Sequence, residues 1–168
     1  MNKKLIIGII LILLLIIGGF VFIDGLNKAD SDVPNINSHI QNGNDEYNQA
    51  VAYLNSKNYN ETIKHINESY KEYMLAKESK HEDLIKSIRN NQSLQVEYFN
   101  YTLNELDCKI NATVEMYNGL SYVQNNPSSA LSSFSTSNQL MNNATEYSNK
   151  RSLLEQQYPD NFINKLSS

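Results

Sequence analysis

The chain opens with one long apolar run. Leu5 to Ile23 contains no charged residue, and as an α-helix it would be about 28 Å long, close to the ~30 Å apolar core of a bilayer. The run is longer than the roughly 7–15 apolar residues of a cleaved signal peptide, and no Ala-x-Ala cleavage pattern follows it. The run predicts an uncleaved transmembrane anchor, with a cleaved signal peptide as the alternative.

The charges beside the run predict its orientation. Lys3 and Lys4 precede it, and three aspartates follow it closely. Because positive residues favour the cytoplasmic side, we expect a single-pass protein of the cell membrane with a cytoplasmic N-terminus. The predicted parts are a cytoplasmic tip at 1–4, the anchor at 5–23, a stalk at 24–33 and an extracytoplasmic helical domain at 34–168.

Beyond the anchor, apolar residues recur every three or four positions, which is typical of one buried helix face. The first predicted helix runs from about Pro34 to Lys57. The second begins after Asn58, whose side chain can cap it together with Glu61 three residues later; a break near Ser79 is the alternative to one continuous helix. The stripes are Ile36, Ile40, Tyr47, Val51 and Leu54, then Ile63, Ile66, Tyr70, Met74, Leu84 and Ile88.

The third helix has the most regular pattern, a heptad-like seam typical of bundles and coiled coils. We predict a turn over Arg89 to Ser93 before it; one helix continuing through this segment is the alternative. The fourth helix starts at Asn126-Pro127, a cap followed by a first-turn proline, and ends at Pro159, with a last turn over 161–166. The stripes are Val96, Phe99, Leu103, Leu106, Ile110, Val114, Tyr117 and Leu120, then Ala130, Phe134, Met141, Ala144 and Leu154.

The predicted fold class follows from these stripes. No segment alternates as a half-buried strand does, and four amphipathic helices joined by short turns must bury their stripes on one another. We therefore predict an all-α protein, with an N-terminal transmembrane helix followed by an antiparallel bundle of about four helices.

One segment resembles a known helical family. Residues 46–70 resemble one tetratricopeptide repeat in their alternation of small and large residues and in the position of the turn at 55–58. The early Trp–Leu pair of that family is absent, Lys57 replaces its turn glycine, and no second copy occurs, so a generic helical hairpin is the alternative. The resemblance implies protein binding. It rests on Ala50, Tyr53, Tyr59, Thr62, Ile63, Ile66 and Ser69.

Composition narrows the function classes. The chain has 14 basic and 18 acidic residues; without Lys3 and Lys4 the basic count is 12, so the part after the anchor is near −6. It has no basic patch, so we expect no nucleic-acid partner. The single cysteine, Cys108, is predicted to be half-buried, with an interchain disulfide as the alternative.

Six Asn-x-Ser/Thr sequons lie beyond the anchor and would accept glycans if they are exposed and the host has the enzymes. They begin at Asn60, Asn67, Asn91, Asn100, Asn111 and Asn143.

No constellation of catalytic or metal-ligating residues is apparent. The histidines form no H-E-x-x-H motif, and the Glu-x-x-His spacing of di-iron bundles occurs only once, at Glu78 and His81. No nucleophile elbow, phosphate-binding loop or dinucleotide fingerprint is present. We therefore expect no catalytic residues, no metal, no cofactor and no enzymatic activity.

Tyrosine is the abundant aromatic residue, and several tyrosines fall off the predicted stripes. Exposed tyrosines are common at binding surfaces, so Tyr73, Tyr98, Tyr101 and Tyr122 are candidate partner-facing residues, unless they only flank the core. We expect a non-catalytic membrane-anchored helical module for protein–protein interaction or envelope organisation. The sequence is compatible with either a monomer or a homo-oligomer. The alternative is a ligand-sensing ectodomain that works with a separate membrane partner.

Overall fold

The computed structural model describes residues 33–163, and every regular element in this part is an α-helix. We number them α1 (Val33–Asn55), α2 (Tyr59–Arg89), α3 (Ser93–Tyr122), α4 (Pro127–Gln157) and α5 (Pro159–Ile163). The predicted anchor, the cytoplasmic tip and nearly all of the stalk lie outside the described residues. Within 33–163, none of the helices combines the length and apolar character that crossing a bilayer requires.

The turn between α1 and α2 is a helix C-cap with a left-handed residue. Lys57 has φ 60°. Its amide donates to the carbonyl of Leu54 at 3.0 Å, and the amide of Asn58 donates to that of Tyr53 at 2.9 Å. These two bonds form a Schellman motif, which satisfies the last carbonyls of α1 and reverses the chain.

The turn between α2 and α3 is built in the same way. Asn91 has φ 52°, and the amide of Gln92 donates to the carbonyl of Ser87 at 3.0 Å. The predicted turn over Arg89 to Ser93 is confirmed. The two alternatives are wrong: α2 continues through Ser79, and no single helix continues through Asn91.

Two predicted helix starts are also confirmed. The side chain of Asn58 accepts from the amide of Glu61 at 3.5 Å, and that of Asn126 accepts from the amide of Ser129 at 3.2 Å. Each cap satisfies one of the free amides of a first helical turn.

The helices form an antiparallel bundle. The closest backbone packing joins neighbours in the chain, α1 with α2, α2 with α3, and α3 with α4. The largest core cluster contains residues of all four long helices, Tyr47, Ala50, Val51, Leu54, Ile66, Ala112, Met116, Ala130, Phe134 and Met141. The prediction of an all-helical bundle of about four helices is confirmed.

Two mid-helix glycines allow close approach of aromatic rings. A Cβ atom built at Gly43 of α1 would lie 2.5 Å from the Tyr73 ring of α2. A Cβ at Gly119 of α3 would collide in the same way with the Phe134 ring of α4. Glycine costs helix stability, and here its missing side chain is what lets the rings pack.

The predicted stripes of α1 and α4 are buried, apart from Ile36, whose side chain lies outside the described residues. Those of α2 and α3 are wrong in part. Of the predicted buried residues, Tyr70, Met74, Ile88, Val114 and Tyr117 are between 40% and 55% exposed. The inward positions on these helices also hold polar side chains, Thr62, Ser69, Lys80, Ser87, Thr102, Glu105, Lys109 and Thr113.

Candidate interaction surface

The exposed apolar residues of α2 and α3 lie on the sides of these helices that face away from α1 and α4. On α2, His65 contacts Glu46 of α1, and Met74 follows nine residues later, which is two and a half helical turns. On α3, Glu105 contacts Arg151 of α4, and Val114 also follows nine residues later. Met74 and Val114 therefore point away from the neighbouring helices.

An ion pair sets the alignment of α2 with α3. Lys77 Nζ lies 2.5 Å from Asp107 Oδ1, and both side chains are partly exposed. Tyr70 precedes Lys77 by two helical turns and Val114 follows Asp107 by two turns. Because the helices are antiparallel, Tyr70 and Val114 lie side by side, beyond the same end of the ion pair.

We define the outer α2–α3 face by five apolar residues around the Lys77–Asp107 pair. Tyr70 and Met74 are 40% exposed, Ile88 is 55%, Val114 is 41% and Tyr117 is 48%. From Tyr70 to Ile88 the face extends about 27 Å along α2. With about 150–250 Å² for a large side chain, it exposes roughly 400 Å² of apolar surface.

The inner sides of α3 and α4 meet at a buried charge cluster. Glu105 is 2% exposed and Lys109 is 6% exposed. Lys109 Nζ lies 2.8 Å from Glu105 Oε1, and Arg151 Nη1 lies 2.9 Å from Glu105 Oε2. The second contact is an ion pair only, because Oε2 accepts no hydrogen bond from the described residues.

The electrostatic balance keeps Glu105 ionised. Burial by itself would raise the pKa of this carboxyl, but the charges of Lys109 and Arg151 outweigh burial and lower it. The cations also rest on aromatic rings, since Lys109 lies 5.6 Å from the Tyr73 ring centre and Arg151 lies 5.8 Å from that of Tyr98. The two cations of the cluster are thus stabilised inside the bundle by one carboxylate and by the faces of two aromatic rings.

A second inner network joins α1, α3 and α4. The hydroxyl of Ser137 donates to the carbonyl of Ala112 at 2.7 Å, so the hydroxyl of Tyr47 is the donor in its 2.8 Å bond to Ser137. All three groups are buried. Burial raises the pKa of the Tyr47 hydroxyl, an effect that its bond to Ser137 only partly offsets.

The α1–α2 interface contains two reciprocal imidazole–carboxylate contacts. His39 of α1 lies 2.5 Å from Glu72 of α2, and His65 of α2 lies 2.5 Å from Glu46 of α1. The ring of His65 also stacks on Tyr53 at 5.0 Å. Both histidines are therefore used in helix packing rather than presented to a cleft.

The four candidate partner-facing tyrosines differ in how exposed they are. Tyr73 is fully buried, so its expected exposure is wrong. Its hydroxyl donates to Asn44 at 2.8 Å. Tyr98 and Tyr101 are half-buried, and Tyr122 is 43% exposed at the end of α3. None of the four belongs to the outer α2–α3 face, whose tyrosines, Tyr70 and Tyr117, had been predicted to be buried.

The sequon asparagines are all exposed on the described part of the chain. Asn91 lies in the turn between α2 and α3, and the other five lie on helices. Exposure is necessary for modification, and glycosylation itself stays a prediction. Cys108 is half-buried, and burial raises the pKa of its thiol, with a further rise from Asp107 and Glu105.

The described residues form neither a metal cluster nor an enclosed small-molecule pocket. Among the described residues, no three His, Cys, Asp or Glu side chains come together in a way that could hold a metal ion. A shallow open depression on α4 is lined by that helix alone, at Ser128, Leu131, Ser132, Ser135, Thr136 and Gln139. One helix cannot enclose a ligand, and buried small-molecule sites need concave walls.

Comparison with known proteins adds no relative. No protein-family model matches the chain, and neither the curated proteins nor the solved structures contain a significant match.

Proposed function

We propose that the protein is a membrane-anchored, extracytoplasmic and non-catalytic helical module that packs its outer α2–α3 face against helices of a protein partner. The observation that carries this proposal is the outer face itself. Large apolar side chains at helical spacing are exposed there, while small polar and charged side chains occupy inner positions of the same helices.

The composition of the face favours a protein surface as its occupant. Two tyrosines, a methionine and a valine lie toward one end of the Lys77–Asp107 ion pair, and Ile88 lies beyond its other end. Protein interfaces are typically enriched in tyrosine and methionine at their core, and the pairing of Lys77 with Asp107 leaves this face without a lone charge at that level. The regular spacing along two antiparallel helices fits the ridges and grooves of another helix.

The membrane part of the proposal is supported by the sequence alone. An uncharged run of nineteen residues after two lysines, Leu5 to Ile23, is long enough to span a bilayer. The resemblance of residues 46–70 to a tetratricopeptide repeat is consistent with protein binding and stays a prediction.

The topology can be tested with protease added to whole cells. We expect the helical domain to be degraded without lysis, while a cytoplasmic control protein survives until the cells are broken. Recovery of the polypeptide in the medium, trimmed near Gly25, would contradict the anchor, and protection in intact cells would contradict the orientation.

The interaction surface can be tested by photo-crosslinking in intact cells that carry the full chain. Tyr117 of the outer face and Tyr158 at the α4–α5 junction are matched positions, 48% and 43% exposed. With p-benzoylphenylalanine at either position, we expect a discrete adduct from position 117 and none from position 158. Equal adducts from both positions, or none from 117, would argue against this face as the interface.

A further inference from the structure

We infer that the partner on the outer α2–α3 face is a second copy of this chain, in a parallel dimer whose twofold axis runs along the bundle. The inference rests on the proposed function, because it names the occupant of the same face. It follows from two observations on the face, its charge and its area, and from the proposed N-terminal anchor.

The charge pattern of the face is complementary to itself. Lys77 and Asp107 lie at one level, and the twofold rotation would place α2 of one copy beside α3 of the other. Lys77 of each copy would then meet Asp107 of its partner, so two ion pairs would form across the interface. An isologous contact requires such self-complementarity.

The negative net charge of the chain opposes association of two copies. A face without net charge is therefore the part of the surface where two copies can meet. The whole chain has a net charge of −4, so two copies carry like net charge and repel each other at long range. The rim of the outer α2–α3 face carries exposed or half-buried amides at Asn67, Asn104, Asn111 and Asn118. On the α2 side it also carries the exposed Lys71 and Glu78, whose opposite charges leave the rim without net charge.

The apolar area fits a dimer of ordinary size. A standard interface buries about 800 Å² on each partner, of which somewhat more than half is apolar. The roughly 400 Å² exposed by the five apolar residues is close to that share, on the side-chain areas used above. The face is also long and straight, so two copies can align four helices over about 27 Å.

The anchor gives the dimer its orientation. Two chains held by their N-terminal segments in one membrane present their bundles in the same direction, and only a twofold axis along the bundle keeps them so. Confinement to a membrane raises the effective concentration of each copy for the other. A modest apolar face therefore suffices for association.

A charge swap between two differently tagged full chains, mixed in detergent micelles, tests the inference. One chain carries Lys77→Glu and the other Asp107→Lys. Each variant dimerising with itself would place like charges together at two points, whereas the mixed dimer would pair opposite charges at both. We expect the mixed dimer to be favoured about tenfold over either homodimer, from exposed pairs worth up to about 1 kcal/mol each.

Both variants lose the ion pair within their own chain, so a purely internal role for Lys77 and Asp107 would produce no preference for the mixed dimer. A random distribution of tags would overturn the inference. A single molecular mass equal to the monomer for the unmodified chain, at concentrations where the variants are compared, would overturn it as well.

Cysteine pairing supplies a second readout, in chains with Cys108→Ser. One tagged chain carries Tyr70→Cys and the other Val114→Cys, and we expect a disulfide that joins the two tags. A chain with Gln139→Cys on the exposed side of α4 replaces the second chain as the control. Equal joining to position 139 would overturn the inference.

The outcome separates the two proposals. A crosslink from position 117 in cells to a chain of the same sequence supports both. A crosslink to a different protein, together with random tags in the charge swap, leaves the proposed function standing and removes the second copy. The absence of any crosslink from position 117 removes both.

Discussion

The inner and outer sides of the α2–α3 pair both depart from the rule that polar side chains are exposed and large apolar side chains are buried. Thr62, Ser69, Thr113 and Glu105 are at most 2% exposed on the inner side, whereas Met74, Ile88 and Tyr117 are at least 40% exposed on the outer side. Buried polar groups are tolerated because they find partners, as the hydroxyl of Ser69 does at the carbonyl of Gly43, 2.7 Å away. Exposed apolar groups have no such compensation in a lone chain.

The difference teaches that the apolar pattern of a helix reports all of its interfaces together. In α2 and α3 the apolar residues cover a wide part of the helix circumference, and the bundle buries only one side of it. Apolar residues that cluster on one exposed helix face, rather than lying scattered, are often part of an interaction surface. The outer side therefore favours a second packing partner, which is the basis of the proposed function.

The largest expected effect comes from breaking the inner charge cluster. Glu105→Gln removes the charge shared by Lys109 and Arg151, and it leaves the buried Lys109 and the half-buried Arg151 without this carboxylate. We expect the free energy of unfolding of the full chain in micelles to fall by about 3 kcal/mol at pH 7, measured by urea unfolding. Glu97→Gln, at an exposed position of the same helix, is the control and should change it by less than about 0.5 kcal/mol.

The same cluster predicts a pH dependence of known sign. Because the pKa of Glu105 is lowered in the folded state, its ionised form stabilises the fold above the ordinary glutamate pKa. That contribution is lost as the pH falls through the lowered pKa. The stability difference between the unmodified chain and Glu105→Gln should therefore shrink below about pH 4; a difference that grows with acidity would contradict the ion-pair account.

A smaller effect is expected where the inner side is tightest. Gly43→Ala would normally stabilise a helix by about 0.5–1 kcal/mol. Here the added methyl meets the ring of Tyr73, so we expect a net loss of about 1–3 kcal/mol. Asn42→Ala, one residue earlier and exposed, should be neutral or slightly stabilising; a gain at Gly43 would show that the ring moves freely.

Sequence reasoning was sufficient for elements that depend on local chemistry. The caps at Asn58 and Asn126 and the boundary at Pro127 follow from side chains that bond to nearby backbone. The turn at Asn91 carried a weaker signal, since asparagine tolerates the left-handed backbone that ends α2. Lys57 has the same left-handed conformation, which lysine rarely adopts, so its residue type did not predict the turn. The turn was predicted instead from Asn58, whose side chain caps the next helix.

The rotation of α2 and α3 could not be read from periodicity. Ile66 and Tyr70 are one turn apart on the same predicted stripe, yet only Ile66 is buried. The choice is made by partners distant in the chain: Gly43, which admits Tyr73, and Arg151, which draws Glu105 inward. Nothing near Glu105 or Tyr73 in the sequence identifies those partners, so the face left exposed could not be identified either.

The smallest stability effect is expected at two adjacent residues of α3, a buried threonine on the inner side and an exposed valine on the outer side. These two residues test the difference between the two sides most directly. Thr113 is fully buried and its hydroxyl bonds to the carbonyl of Ile110 at 2.7 Å, while Val114 is 41% exposed. Thr113→Val exchanges this hydrogen bond for a buried methyl of similar shape, and the two effects oppose each other, so the free energy of unfolding should change by less than about 1 kcal/mol.

Val114→Thr makes the reverse exchange on the outer side. It should change the free energy of unfolding of the monomer by less than about 0.5 kcal/mol, yet weaken the dimer, because a hydroxyl enters the apolar part of the contact beside Tyr70. Urea unfolding and sedimentation of the same two variants separate these effects. If Val114→Thr lowers stability without changing association, Val114 belongs to the core of a single bundle, and the outer α2–α3 face is not an interface.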